Sequence, residues 1–162
     1  MHQLIEQGTH NLGDFIESSL RKYADKPAYS CMGQTLTFCE IDKKSRGLAC
    51  WLQQLSGLQT GDRIIIQLPN IIQYPVAAYA ALRAGLVLVN TNPLYTEKEM
   101  GHQFNDAGAK AIITLKDLLP KLNAIKASTS IEHVIVCNPA DFLTGDTSTL
   151  ANCTNLNQAI ED

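Results

Sequence analysis

A doubly wound α/β fold is predicted by three features of this sequence: a mostly parallel sheet, helices on both of its faces and an amino-terminal antiparallel hairpin at one edge. First, the runs in "DRIIIQLP", "LVLVN", "KAIIT" and "EHVIV" are continuously apolar rather than alternating. Strands buried on both faces read this way, and they belong in parallel sheets. Second, stretches with helical periodicity separate those runs. Third, the connections are short and marked by Gly, Pro and Asn, so right-handed crossovers build alternating layers.

The first helix starts at Asn11. Leu12, Phe15, Ile16, Leu20 and Tyr23 recur at helical spacing, and Asp14 stands three residues after the cap. "PAYSCMG" and "QTLTF" read as a hairpin turning at Gly33. Thr37 and Glu40 have capping-box spacing at the start of the next helix. Ile41, Leu48, Leu52 and Leu55 form its inward stripe, while Asp42, Lys43, Lys44, Arg46 and Gln53 face water.

Gly57 and Gly61 then break the chain before "DRIIIQLP". Asn70 opens an apolar helix with Pro75 in its first turns and Gly85 at the left-handed position after its end. "LVLVN" is the next buried strand. Thr96 and Glu99 repeat the capping box before a helix that turns Met100, Phe104 and Ala107 inward and stops at Gly108. "KAIIT", "DLLPKLNAIKA" and "EHVIV" follow as strand, helix and strand. These elements make one α/β unit over residues 1–137. Residues 138–162 are polar and rich in Thr and Asn, which predicts an irregular tail or the start of a connection to a further segment.

A hydrophobic fraction of 45% in 162 residues supplies a sizeable core. The formal net charge of −3, without a basic tract, excludes nucleic acid as a partner. Five cysteines in no metal-ligand or C-x-x-C spacing read as reduced thiols of a cytoplasmic protein. The first residues lack the basic-then-apolar layout of an export signal. Residues 71–89 approach the length of a membrane span, but Arg83 falls inside the run and Pro75 and Gly85 divide it. A helix over 71–84 and a strand over 86–90 account for the same residues.

Ligands of open parallel sheets sit beyond the carboxyl ends of the strands. Asn70 follows one such end, and Asn90, Thr91 and Asn92 follow the next. If the two strands are neighbours, these loops line a crevice. The plainer reading is that they turn the chain and cap helices, because no titratable group joins them. No G-x-G-x-x-G, no P-loop and no G-x-S-x-G is present. "LTGDTST" has one glycine, no lysine, and an aspartate that would repel phosphate. Ser19 and Lys22 meet S-x-x-K spacing on an exposed helix face, and His2, His10, His102 and His133 have no ligand spacing. A phosphoacceptor receiver needs acidic residues where Asn70 and Asn90 stand. No catalytic and no metal-binding residue is assigned.

Two stretches carry a resemblance. "LTFCEIDKKSRGLACWL" and "LRAGLVLVNTNP" resemble recurring motifs of the adenylate-forming superfamily. The ordered text "PNIIQYPV" and "NPLYT" resembles the amino-terminal part of bacterial long-chain fatty acyl-CoA synthetases, from about Leu12 to Val136. The resemblance implies one lobe of a larger adenylation domain, whose remainder is the partner. The parent reaction joins a fatty acid to ATP as an acyl-adenylate, with pyrophosphate released, and coenzyme A then displaces AMP. ATP, Mg and coenzyme A are thus implied for the full-length parent and none for this chain, because the family's phosphate loop, ribose-binding acid and carboxyl-terminal lysine have no counterpart here.

The chain alone is therefore expected to be inactive, to self-associate through the face a neighbouring lobe would cover, and to derive from a cytoplasmic protein peripheral to the inner membrane. A stand-alone interaction or regulatory module built on the same lobe is the alternative. An unrelated nucleotide-binding domain would have to bind through the Asn70 and Asn90–Asn92 loops.

Overall fold

A computed structural model describes residues 11–54, 57–145 and 153–161. Helix α1 (Leu12–Lys22) is capped by Asn11, whose side chain accepts the Asp14 amide at 2.9 Å. Strands β1 (Pro27–Cys31) and β2 (Gln34–Thr37) pair antiparallel. Met32 and Gly33 link them with φ of 51° and 80°, the two positive values that a tight hairpin requires. This hairpin forms its own two-stranded sheet beside the main one rather than extending its edge.

Thr37 and Glu40 close the expected capping box before α2 (Phe38–Gln54): the Thr37 amide donates to the Glu40 carboxylate at 2.7 Å and the Glu40 amide to the Thr37 hydroxyl at 3.2 Å. The Thr37 amide, joined by the Thr37 hydroxyl donating to the same carboxylate at 2.9 Å, holds the Glu40 carboxyl below the usual range. Ile41, Leu48 and Leu52 are fully buried, whereas Leu55 lies outside the described residues.

The main sheet comprises β3 (Arg63–Gln67), β4 (Val87–Asn90), β5 (Ala111–Leu115), β6 (His133–Cys137) and β7 (Thr154–Asn155), all parallel, in the order β4-β3-β5-β6-β7. The chain enters at β3, steps out to β4, and crosses back to β5, so its direction of travel reverses between β3 and β5. Helix α3 (Gln73–Arg83) packs with α2 on one face, while α4 (Glu97–Ala107) and α5 (Leu119–Lys126) cover the other. Ile64 and Ile66 enter the first core and Ile65 the second, which is the period-2 alternation of a strand buried on both sides. A third cluster of Leu20, Leu36, Ile41, Ile72 and Val76 joins the hairpin and α1 to α3.

Three expectations need correction. The apolar helix starts at Gln73 rather than Asn70; Ile71 folds into a turn first, its amide bonding to the Pro69 carbonyl and its carbonyl to the Tyr74 amide. Strand β4 is an edge, not an interior strand: Val87 is 50% exposed and, among the described residues, only β3 pairs with it. Its apolar sequence resembles that of β3, but one flank has no neighbour among the described residues. The polar stretch after Cys137 is also ordered where described. It forms a short α6 (Asp141–Thr144), β7, and α7 (Leu156–Glu161).

The polarity of this last segment misled because its polar groups are buried and paired. Asp141 accepts from both the backbone and side-chain nitrogens of Asn138, Asn157 donates to the Asp141 carbonyl, and Asn155 accepts the Asn157 amide. Buried polar atoms are tolerated when satisfied in this way. Leu156 and Ala159 complete the first core. Helix α7 lies so close to α2 that a Cβ on Gly47 would sit 2.1 Å from the Ile160 carbonyl oxygen.

Arg83 ties the three helices of the first face together. Its side chain, 9% exposed, contacts Glu17 of α1 at 3.3 Å and grips the Asp42 carboxylate and carbonyl of α2. Arg46 reaches the same two acids, at 3.0 Å to Asp42 and 3.3 Å to Glu17. Burial alone would raise the Asp42 pKa, but hydrogen bonds from Arg46 and Arg83 overcome it and hold the carboxyl below its ordinary range. No helix among the described residues is long and apolar enough to cross a membrane.

Two outcomes follow. In an ordinary helix interior Gly→Ala stabilises by about 0.5–1 kcal/mol; Gly47→Ala should instead cost about 1–3 kcal/mol, read from urea unfolding, because a backbone carbonyl must move. Asp42 contributes stability that is complete above its ordinary pKa of about 4 and is lost as pH falls through its lowered folded value. Urea midpoints taken stepwise through that acid range should therefore fall less steeply for Asp42→Asn than for the native chain.

Candidate functional site: the carboxyl edge of the sheet

The reversal between β3 and β5 is where open α/β sheets form a ligand crevice. Strands β3 and β4 are neighbours, so the condition for a crevice between the Asn70 and Asn90 loops is met. Tyr74, in the first turn of α3, joins these loops by donating its hydroxyl to Asn90 Oδ1 at 2.9 Å. The Asn90 carbonyl accepts from Gln103 of α4 at 3.1 Å, and the buried Thr91 hydroxyl meets Gln103 Oε1 at 2.8 Å. Asn92 Oδ1 accepts the Leu94 amide at 2.9 Å. Asn90, Thr91 and Asn92 thus spend their polar atoms on turning the chain and clamping it to α4. The carboxamide of Asn70 is exposed and has no partner among the described residues.

Sequence reasoning missed two glutamines at this edge. Gln67 ends β3, is fully buried, and accepts the Thr114 hydroxyl of β5 at 3.2 Å. Its Nε2 has no partner among the described residues. Gln73, 1% exposed, donates through Nε2 to the carbonyls of Asn138 at 3.0 Å and Pro139 at 3.1 Å, and its Oε1 has no partner among the described residues. One unspent donor and one unspent acceptor therefore lie at the carboxyl edge. A glutamine ending an isoleucine run was the available signal for Gln67, since a strand buried to its last residue rarely admits an amide.

The asparagine loops of this edge are neutral, whereas the charged Lys116 and Asp117 follow β5 and Asp141 lies beyond β6. Cys137 ends β6, and burial, reinforced by the nearby Asp141 charge, pushes its thiol well above the ordinary value, so it stays protonated and is no nucleophile. No group of three or more His, Cys, Asp or Glu that could hold a metal ion occurs among the described residues. The amides and hydroxyls of the Asn70 and Asn90–Asn92 loops by themselves do not fit Mg·ATP, which needs both phosphate and metal ligands. His102 is exposed on α4, and His133 stacks edge-on against Trp51 with ring centroids 6.4 Å apart. A groove of about 330 Å³ opens between β1 and the loop leading into α3, with Asn70 and Tyr74 on its rim.

This architecture is that of an adenylation-domain lobe. The benzoate CoA ligase of Burkholderia xenovorans LB400 superposes with a TM-score of 0.80 at 23% identity, over 94% of this chain and 28% of that one. A long-chain-fatty-acid-CoA ligase from Archaeoglobus fulgidus gives a TM-score of 0.76 at 23% identity, over 93% and 29%. The family model of the AMP-binding enzymes matches residues 16–158, and the chain belongs to that family. It is 43% identical over 142 residues to the long-chain-fatty-acid–CoA ligase of Escherichia coli O157:H7, covering 88% of this chain and 25% of the relative. The ligase of Bacillus subtilis (strain 168) is 39% identical over 132 residues, 82% of this chain and 23% of the relative. The chain thus corresponds to the amino-terminal part of such ligases and spans about a quarter of their length.

Thr114→Val removes the one partner of Gln67 and should cost about 1–3 kcal/mol, whereas the double variant Gln67→Leu/Thr114→Val should be neutral or stabilising, because no buried amide is then left bare. Denaturant unfolding of the two variants measures the difference.

Proposed function

We propose that this chain is the scaffold lobe of a long-chain fatty acid–CoA ligase and is inactive by itself. In the parent, ATP and a fatty acid form an acyl-adenylate and pyrophosphate, and coenzyme A then yields acyl-CoA and AMP. The observation that carries this reading is 43% identity to such a ligase over a quarter of its length. ATP, Mg and coenzyme A belong on the rest of the adenylation domain, which is the lobe's partner and completes the site. Asn70, Asn90, Thr91 and Asn92 serve as turn, cap and rim residues of that crevice.

In this reading the parent works in the cytoplasm, peripheral to the inner membrane where its fatty acid arrives. The half-exposed Val87 on the open edge of β4 and Leu94, 84% exposed, support self-association of the separate lobe, since bare apolar surface favours contact. A stand-alone interaction module is the second reading. It is favoured by the way Leu156 and Ala159 of α7 pack into the first core.

ATP–pyrophosphate exchange with a long-chain fatty acid tests the proposal. The 162-residue chain should give no exchange above the protein-free blank. Saturable exchange that depends on the fatty acid would overturn its role as a scaffold.

A further inference from the structure

We propose that the groove between β1 and the loop entering α3 binds an uncharged amphiphile, a small molecule with an apolar body and one hydrogen-bonding head group. Its volume of about 330 Å³ lies at the lower end of small-molecule sites. Two aromatic side chains wall it, and both are pinned at their hydroxyls. Tyr29 is held 2.8 Å from Tyr79 Oη, and Tyr74 donates to Asn90. Walls fixed before the ligand arrives reduce the entropic cost of binding. Ile71, Ile72 and Pro75 supply the aliphatic floor.

No residue of the lining carries a formal charge. A carboxylate or phosphate entering the groove would lose water without gaining a counter-ion, and burying an unpaired charge is strongly unfavourable. At the rim the unspent carboxamide of Asn70 offers a donor and an acceptor to a hydroxyl, amide or carbonyl head. A larger hollow of about 500 Å³ between α1, α2 and α3 carries no such case: Arg46 and Arg83 on its wall are already paired with Glu17 and Asp42.

The groove contains its own reporter. Cys31 lines it, with Sγ 3.9 Å from the Asn70 carbonyl oxygen, while Cys39 and Cys50 are exposed outside it. The test is alkylation of the intact chain by iodoacetamide, followed cysteine by cysteine by mass spectrometry, with 1-octanol as the probe and octanoate as the charged control. 1-Octanol should slow alkylation of Cys31, by roughly tenfold at ten times its Kd, and leave Cys39 and Cys50 unchanged; octanoate should protect less. Ser30→Phe, on an exposed strand position, should fill the groove and abolish protection. Asn70→Ala should weaken protection roughly two- to tenfold. No protection up to the solubility of 1-octanol, equal slowing of all three thiols, equal protection by octanoate, or full protection in both variants would each overturn the proposal.

Discussion

Burial of β3 on both faces is the constraint from which the rest of the lobe is built. Ile64 and Ile66 face the core shared with α2 and α3, Ile65 faces the core shared with α4 and α5, and none exceeds 1% exposure. A strand in that position must have parallel neighbours on each side and helical cover above and below. Once β3 is central, β4 and β5 must flank it, and the chain must reverse direction between them. The carboxyl edge with Gln67, Gln73 and Thr114 is where that reversal leaves polar atoms beneath the surface.

Charge is used sparingly and mostly for joining. Arg83 stands in the middle of an apolar stretch, yet its guanidinium finds Glu17 and Asp42 on two other helices. Helices α2 and α3, which share the core of Leu48, Leu52, Ala77 and Ala81, and α1, which joins Ile41 and Val76 through Leu20, gain a directional link from it. A second link, between Lys110 Nζ and Asp62 at 2.9 Å, joins the entries to β3 and β5. Both pairs lie away from the carboxyl edge, so these charges hold the scaffold together.

Much of this was legible in the sequence because local signals and global packing agree. The capping boxes at Thr37–Glu40 and Thr96–Glu99 form as spaced, and Gly85 takes the left-handed φ of 73° after α3. The failures have a common cause: partners far away in the chain. Val87 and Ile65 are both apolar strand residues, and only the position of β4 in the sheet separates the half-exposed one from the buried one. Asn155 and Asn157 look like loop residues until Asp141 is placed beside them. At the site, the asparagine loops were found, but Gln67 and Gln73 acquired meaning only when Thr114 and Asn138 were brought to them. An expectation based on polarity cannot distinguish a solvated amide from a buried, hydrogen-bonded one.

The contact between Gly47 and Ile160 has a consequence for how the chain matures on the ribosome. Helix α2 is made well before α7, so the notch at Gly47 stands empty while the strands between them emerge. Contacts between distant parts of a chain bear the cost of closing a long loop and form slowly. The first face of the sheet therefore stays partly uncovered during synthesis, with Leu48 and Leu52 near the gap. Closure of the notch waits on translation of α7.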